Sequence, residues 1–233
     1  MSETASDYVP DPRRWRALAV TLVVGFMSLL DVTIVNVAIP SIQSGLDASA
    51  QSVQWVVSGY ALTFGLVLVA GGRLGDLLGR RRMFLIGLTG FTLTSAAAGA
   101  APTQELLVLA RLLQGAAAGM LTPQNTGLIQ ELFRGDERAR AFGWFGTTVG
   151  VSAATGPVVG GLLIALFGPE HGWRAVFLVN VPIGIGAMVL AARLIPRTRP
   201  KRGALRRELD PVGVVLLGSA VLCVLFPLVR AMS

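Results

Sequence analysis

Gly71-Gly72-Arg73-Leu74-Gly75-Asp76-Leu77-Leu78-Gly79-Arg80-Arg81-Arg82 closes the second of seven apolar stretches, and its reading decides the fold. A helix needs about 20 apolar residues to cross a bilayer, and the sequence on both sides of this knot is apolar for about that length. A simple membrane anchor has no use for a run of glycines and charges between two spans. Working outward, the stretches read as helices over 16–39, 53–72, 82–101, 105–130, 139–166, 174–195 and 211–230. The expected organisation is a cytoplasmic tail (1–15), a six-helix bundle (16–195), a basic cytoplasmic linker (196–210) and a seventh membrane helix (211–230). Asp210-Pro211 suits the start of that last helix, because proline is tolerated in a first turn.

Composition agrees. Of 233 residues, 53% are hydrophobic and 14% charged, where a soluble domain carries about 25% charged residues. The net charge of +7 does not point to nucleic acid, because of where the charges fall. Arg13, Arg14 and Arg16 precede the first stretch. Arg80 to Arg82 follow the second, Arg134, Arg138 and Arg140 follow the fourth, and Arg193 to Arg207 surround the gap after the sixth. Alternate loops are basic and the others nearly bare, the positive-inside pattern, which puts the N-terminus in the cytoplasm. The single cysteine, Cys223, lies in an apolar stretch and reads as packing. The first stretch is too long for a signal-peptide core and lacks a small-residue cleavage site, so it reads as a retained helix.

Trp15, Trp55, Trp144 and Trp173 all lie near expected helix ends. Indoles favour the headgroup zone, so the four read as interface anchors. Glycines spaced by four (Gly115 and Gly119, Gly146 and Gly150, Gly156 and Gly160) read as sites of close helix packing.

Ionisable residues inside a span are costly and mark function by default. Two stand out: Asp31 in the first helix and Arg111 in the fourth. With a rise of about 1.5 Å per residue, both fall roughly 8–12 Å inside the outer ends of their helices, so a salt bridge between them is geometrically possible. Loss of water disfavours the charged carboxylate and the arginine favours it, so a motion that separates them changes proton affinity. The structural alternative is that the pair only locks two helices together. In the fifth helix, Pro157 sits among Gly156, Gly160 and Gly161; proline removes a backbone bond and invites a bend, read either as a packing kink or as a hinge. Glu131 follows the fourth helix on the inner side and could pair with Arg80 or Arg81. His171 reads as solvated. No metal-ligand cluster, Ser/His/Asp set or phosphate-binding loop on a soluble domain is present in the sequence, so neither an enzyme nor a cofactor is expected.

Taken together these residues resemble the major facilitator superfamily, and within it the fourteen-helix drug:proton antiporters. Gly72 through Arg82 is similar to the superfamily's signature loop between its second and third helices. The resemblance implies that Gly72, Asp76, Gly79, Arg80 and Arg81 belong to a gating charge network. Arg111-Leu112-Leu113-Gln114-Gly115 is similar to the fourth-helix motif linked to proton transfer. Gly156-Pro157-Val158-Val159-Gly160-Gly161 resembles the antiporter motif, although Ser152 stands where that motif usually opens with glycine. Leu30 through Pro40 resembles the first-helix signature of the fourteen-helix branch, and Trp173-Arg174 through Phe177, Asn180 and Pro182 resembles its opening to the sixth helix.

The resemblance implies an all-α polytopic fold of two three-helix repeats plus a linker helix. It implies efflux of drug-like molecules by alternating access, driven by a proton gradient across the cytoplasmic membrane. Such transporters have fourteen helices, and seven are read here. The expectation is therefore a transporter fragment that lacks its C-terminal half, with a self-associating half as the alternative. In either case the cavity-facing polar groups, Asp31 and Arg111 among them, would lack a protein wall. A metabolite facilitator and a non-transporting membrane scaffold are the other readings.

Overall fold

The computed structural model describes residues 10–197, which form helices joined by short turns: α1 (Arg14–Leu46), α2 (Ala50–Leu78), α3 (Arg80–Gly99), α4 (Gln104–Leu132), α5 (Gly135–Phe167), α6 (Gly172–Leu178) and α7 (Asn180–Leu194). The expected seventh span with Cys223, the linker beyond residue 197, and residues 1–9 of the tail lie outside the described residues. α6 and α7 together are the expected sixth helix. They part only at Val179, whose φ of −60° and ψ of −28° are themselves helical. Pro182 accounts for the gap, since it has no N–H to offer the carbonyl four residues earlier.

α1, α2, α4, α5 and the α6–α7 pair are long and apolar enough to cross a membrane. α3 is less apolar, because three arginines open it and Gly, Ala, Ser and Thr fill much of the rest. Its 20 residues still reach about 30 Å, the thickness of the hydrocarbon core. It buries Phe84, Leu88 and Phe91 in the bundle.

α1 packs most extensively on α5, and α4 on α2. Laying one triplet on the other, α1 on α4 and α2 on α5, maps one contact onto the other, as two three-helix repeats would. The apolar core divides in two. One cluster, around Val24, Met27, Phe84 and Phe133, fills the end of the bundle near Arg14. The other, around Ile34, Ile42, Leu107 and Trp173, fills the opposite end. Asp31 lies on α1 between them.

Three sequence expectations change. The first helix does not stop before Pro40 but runs to Leu46, because its last turns are held by packing. Ile42 is fully buried, the Ser41 hydroxyl donates to the Pro169 carbonyl, and a Cβ on Gly45 would come within 2.6 Å of the Trp173 indole nitrogen. Trp173 is therefore not an interface anchor: it is 0% exposed and stacks edge-on against Phe177. Trp15 and Trp144 are exposed and Trp55 is half-buried, as anchors would be. Of the glycine pairs, Gly115 and Gly119 lie against the α2 backbone at Tyr60 and Phe64, while Gly146 and Gly150 face open space.

Candidate functional site

The ion pair that equal depth makes possible forms. Arg111 Nη1 lies 2.5 Å from Asp31 Oδ2, with side-chain exposures of 2% and 0%. Neither group lacks a protein wall, contrary to expectation. The bundle itself surrounds them, because α3 and α6–α7 close over the side of the pair that α1 and α4 leave open. The second carboxylate oxygen, Asp31 Oδ1, accepts from Asn180 Nδ2 at 2.9 Å and from Gln114 Nε2 at 3.1 Å. Every contact to the carboxylate comes from a donor, as suits an acceptor-only group. The same two amides donate to Ser95 Oγ at 3.0 and 3.1 Å, and Ser95 donates to the Phe177 carbonyl at 2.9 Å.

Arg111 is held as firmly. Its Nε donates to the Val56 carbonyl at 3.1 Å and its Nη1 to Gln114 Oε1 at 2.8 Å. The Tyr60 ring covers the guanidinium, 4.2 Å from carbon to centroid, and Phe177 stands 5.6 Å away. A cation over an aromatic face is stabilised most where water is excluded. The network thus ties α1, α2, α3, α4, α6 and α7 at one level of the bundle.

Sequence reasoning found Asp31 and Arg111, quoted Gln114 and Asn180 only as parts of longer motifs, and assigned no role to Ser95 or Tyr60. Gln114 carried a signal, standing three residues from Arg111 on the same helix face. Asn180 carried one as a polar side chain inside a span. Nothing distinguishes Ser95 from the other hydroxyls of α3.

The Gly72–Arg82 motif takes a different shape from the expected loop. α2 stays helical through Leu78, and the junction to α3 is the single residue Gly79 at φ 94°, a conformation that glycine adopts without strain. One residue of turn keeps Asp76 and Arg80 four apart, and they pair at 2.5 Å. Arg80 also reaches the Pro123 carbonyl on α4 at 3.4 Å, crossing Gly127 so closely that a Cβ there would overlap it. Arg81 donates to the Ala192 carbonyl of α7. A Cβ on Gly72 would make ordinary contact with Pro123. Glu131 is not the ion-pair partner of Arg80. That place is taken by Asp76, and Glu131 stands within electrostatic reach of Arg80, Arg134 and Asp76.

On α5, Gly156 and Gly160 press against α1. A Cβ on Gly156 would lie 2.0 Å from Thr33 Oγ1, and one on Gly160 would lie 3.0 Å from Ile34 Cγ1. Pro157 is exposed and Gly161 meets nothing within 4 Å. The motif therefore has one face seated on α1 and another open. A cavity of about 400 Å³ opens between α1, α2, α4 and α5, with Tyr60 in its wall. Tyr60 thus separates this cavity from the Asp31–Arg111 network. Among the described residues no group of His, Cys, Asp or Glu is placed to hold a metal ion.

A bundle of two three-helix repeats with an ion pair at its centre is the architecture of half a secondary transporter. The family model of the Major Facilitator Superfamily matches residues 21–232, and the chain belongs to that superfamily of membrane transporters. It is not an enzyme. It is 44% identical over 229 residues to the probable actinorhodin transporter of Streptomyces coelicolor, covering 97% of this chain and 39% of that protein. It is 42% identical over 232 residues to the puromycin resistance protein pur8 of Streptomyces alboniger, covering 99% and 45%. It is 42% identical over 207 residues to the multidrug efflux pump LfrA of Mycolicibacterium smegmatis, covering 88% and 39%. The chain thus spans less than half the length of these relatives. In fold it matches a bacterial homologue of the human lysosomal transporter Spinster, in its inward-facing, occupied form, with a TM-score of 0.70 at 18% identity over 83% of this chain and 46% of that one.

Proposed function

We propose that this chain forms the N-terminal half of a proton-coupled exporter of drug-like molecules working by alternating access. The Asp31–Arg111 pair carries this reading: a buried carboxylate whose partners come from both three-helix repeats is where a proton would report the arrangement of the repeats. A proton arriving from outside neutralises Asp31, weakens its bond to Arg111 and frees the amides of Gln114 and Asn180. The repeats then repack, and the substrate is released outward. A ligand shifts such an equilibrium only through different affinities for the two states. Tyr60, in contact with both the guanidinium and the cavity, is the mechanical link between proton and substrate. The names of the relatives, an antibiotic transporter, a resistance protein and an efflux pump, support export.

In this reading the N-terminus is cytoplasmic, in a cytoplasmic membrane. Supporting this, basic residues gather at one end of the bundle, where Arg14 pairs with Glu137 at 2.8 Å and Arg81, Arg82 and Arg197 line one cleft. The other half of the cavity would come from a C-terminal bundle or from a second copy of the chain. The test is transport in liposomes carrying the complete transporter. Asp31→Asn should abolish proton-driven efflux while leaving substrate exchange at equal pH. Proton-driven efflux that survives the substitution would reduce the pair to a lock between helices.

A further inference from the structure

A groove lies between α1 and α7 and shares no residue with the cavity that Tyr60 walls. Its volume is about 450 Å³. Val20 and Ala187 are buried and form its floor, while Val23 and Leu190, each 48% exposed, form its rims. Gly186 widens it, since a Cβ there would meet nothing within 4 Å. Arg16 is the one lining residue with a polar side chain.

The length of the groove matches one leaflet of a bilayer. Along α7 it runs from Pro182 to Leu194, about 18 Å at a rise of about 1.5 Å per residue. Half of a hydrocarbon core about 30 Å thick is about 15 Å. Pro182 stands near the middle of the Gly172–Leu194 span and Leu194 ends it, so the groove reaches from the midplane to one surface. On α1, Arg16 opens the helix and Val23 lies deeper, so the charge sits at the surface end.

That end is basic. Arg16 is exposed and makes no hydrogen bond or ion pair among the described residues. Arg193, exposed in the last turn of α7, follows Leu190 by three positions and so flanks the groove on the same helix face. Two acids at this end are engaged elsewhere: Asp11 accepts from the Arg13 N–H at 2.7 Å, and Glu137 pairs with Arg14 at 2.8 Å. Trp15, 37% exposed beside Arg16, suits the depth of the headgroups. Basic residues between membrane helices at a cytoplasmic surface attract anionic headgroups. An exposed cation at the mouth of a leaflet-long apolar groove is therefore complementary to an acyl chain beneath a phosphate.

We propose that this groove binds an anionic phospholipid, with one acyl chain along Val23, Gly186 and Leu190 and the phosphate held by Arg16 and Arg193. The inference rests on the cytoplasmic placement of the N-terminus only for the leaflet, which is then the inner one. The site and its preference for charge do not depend on transport.

The experiment is native mass spectrometry of the full chain in detergent. The probes are phosphatidylglycerol and phosphatidylcholine with identical acyl chains, and glycerol phosphate as the headgroup alone. The first phosphatidylglycerol should bind about 25-fold more tightly than the first phosphatidylcholine, about fivefold for each arginine. Arg16→Gln should reduce the ratio to about fivefold, and adding Arg193→Gln should bring it to about one. Gly186→Leu should fill the groove and leave only the weak, unselective binding of later lipids. Arg82→Gln, in the cleft with Arg81 and Arg197, should leave the ratio unchanged. All four positions are exposed, so these variants should fold. Equal affinity for the two lipids, a ratio that Arg82→Gln lowers as much as Arg16→Gln does, or glycerol phosphate binding as tightly as the lipid would overturn the proposal. So would a dimer that Gly186→Leu disperses without loss of lipid, which would make a second copy of the chain the occupant. Selectivity as expected, together with an N-terminus found on the outer face, would sink the orientation and spare the site. Indifference to charge with a cytoplasmic N-terminus would do the opposite.

Discussion

Two Asp–Arg pairs in this bundle have the same length and different surroundings. Asp31–Arg111 and Asp76–Arg80 both close at 2.5 Å. The first pair is 0% and 2% exposed and shares its atoms with Gln114, Asn180, Val56 and Tyr60. The second is 42% and 20% exposed, four residues apart at a helix junction. Distance therefore says little about what either pair does. Where water is excluded, neither charge can be removed without stranding the other. Where water reaches the pair, solvent takes over most of the interaction.

The largest effect should come from Arg111→Leu. It leaves Asp31 as an uncompensated buried charge, at a cost of about 3–5 kcal/mol. Denaturation in mixed micelles should show this loss, and combining it with Asp31→Leu should recover most of it. If the single substitution leaves stability unchanged, the inner pair behaves like the outer one and the contrast collapses.

Asn180→Leu comes next. It removes one donor from a buried carboxylate, worth about 1.5–3 kcal/mol. Asn180→Ser should recover little, because the shorter side chain cannot reach both Asp31 and Ser95. The same denaturation assay decides this, and full rescue by serine would show that the two contacts are not both needed.

Asp76→Asn should change stability by only about 0.2–1 kcal/mol. Raising salt to about 1 M, where the screening length is near 3 Å, should erase even that difference while leaving the Arg111→Leu effect intact. A salt-resistant Asp76 effect would mean that the junction is drier than its exposure implies.

The inner pair was legible because charge in an apolar span is expensive and therefore sparse. Once both helices were placed, a rise per residue was enough to put Asp31 and Arg111 at one depth. The network around them was not, because hydroxyls and amides are tolerated at many places in helices. Ser95, Gln114 and Asn180 matter only where three helices converge. Trp173 was misread for a similar reason. A tryptophan near a helix end suits an interface equally well, and only the chain crossing above it, with Gly45 leaving room, puts it in the core. Gly146 and Gly150 have the spacing of a packing face, yet no described helix occupies it.

Apolar length, the alternation of basic loops and the placement of Gly79 between Asp76 and Arg80 are local properties. From them the sequence by itself determined that this is a helical membrane protein of the transporter class, roughly where the described spans fall, and which charges are exceptional, although α1 and α2 run seven and six residues past their expected ends. Tertiary structure decided which faces meet. It seated Gly156 and Gly160 on α1, enclosed the ion pair within the bundle, and left an uncharged cavity between α1, α2, α4 and α5. These outcomes depend on contacts between residues 80 to 150 positions apart, such as Arg111 and Gln114 with Asp31, or Asn180 with Asp31. A helix's own sequence states how much of it must avoid water, but not which neighbour it will meet.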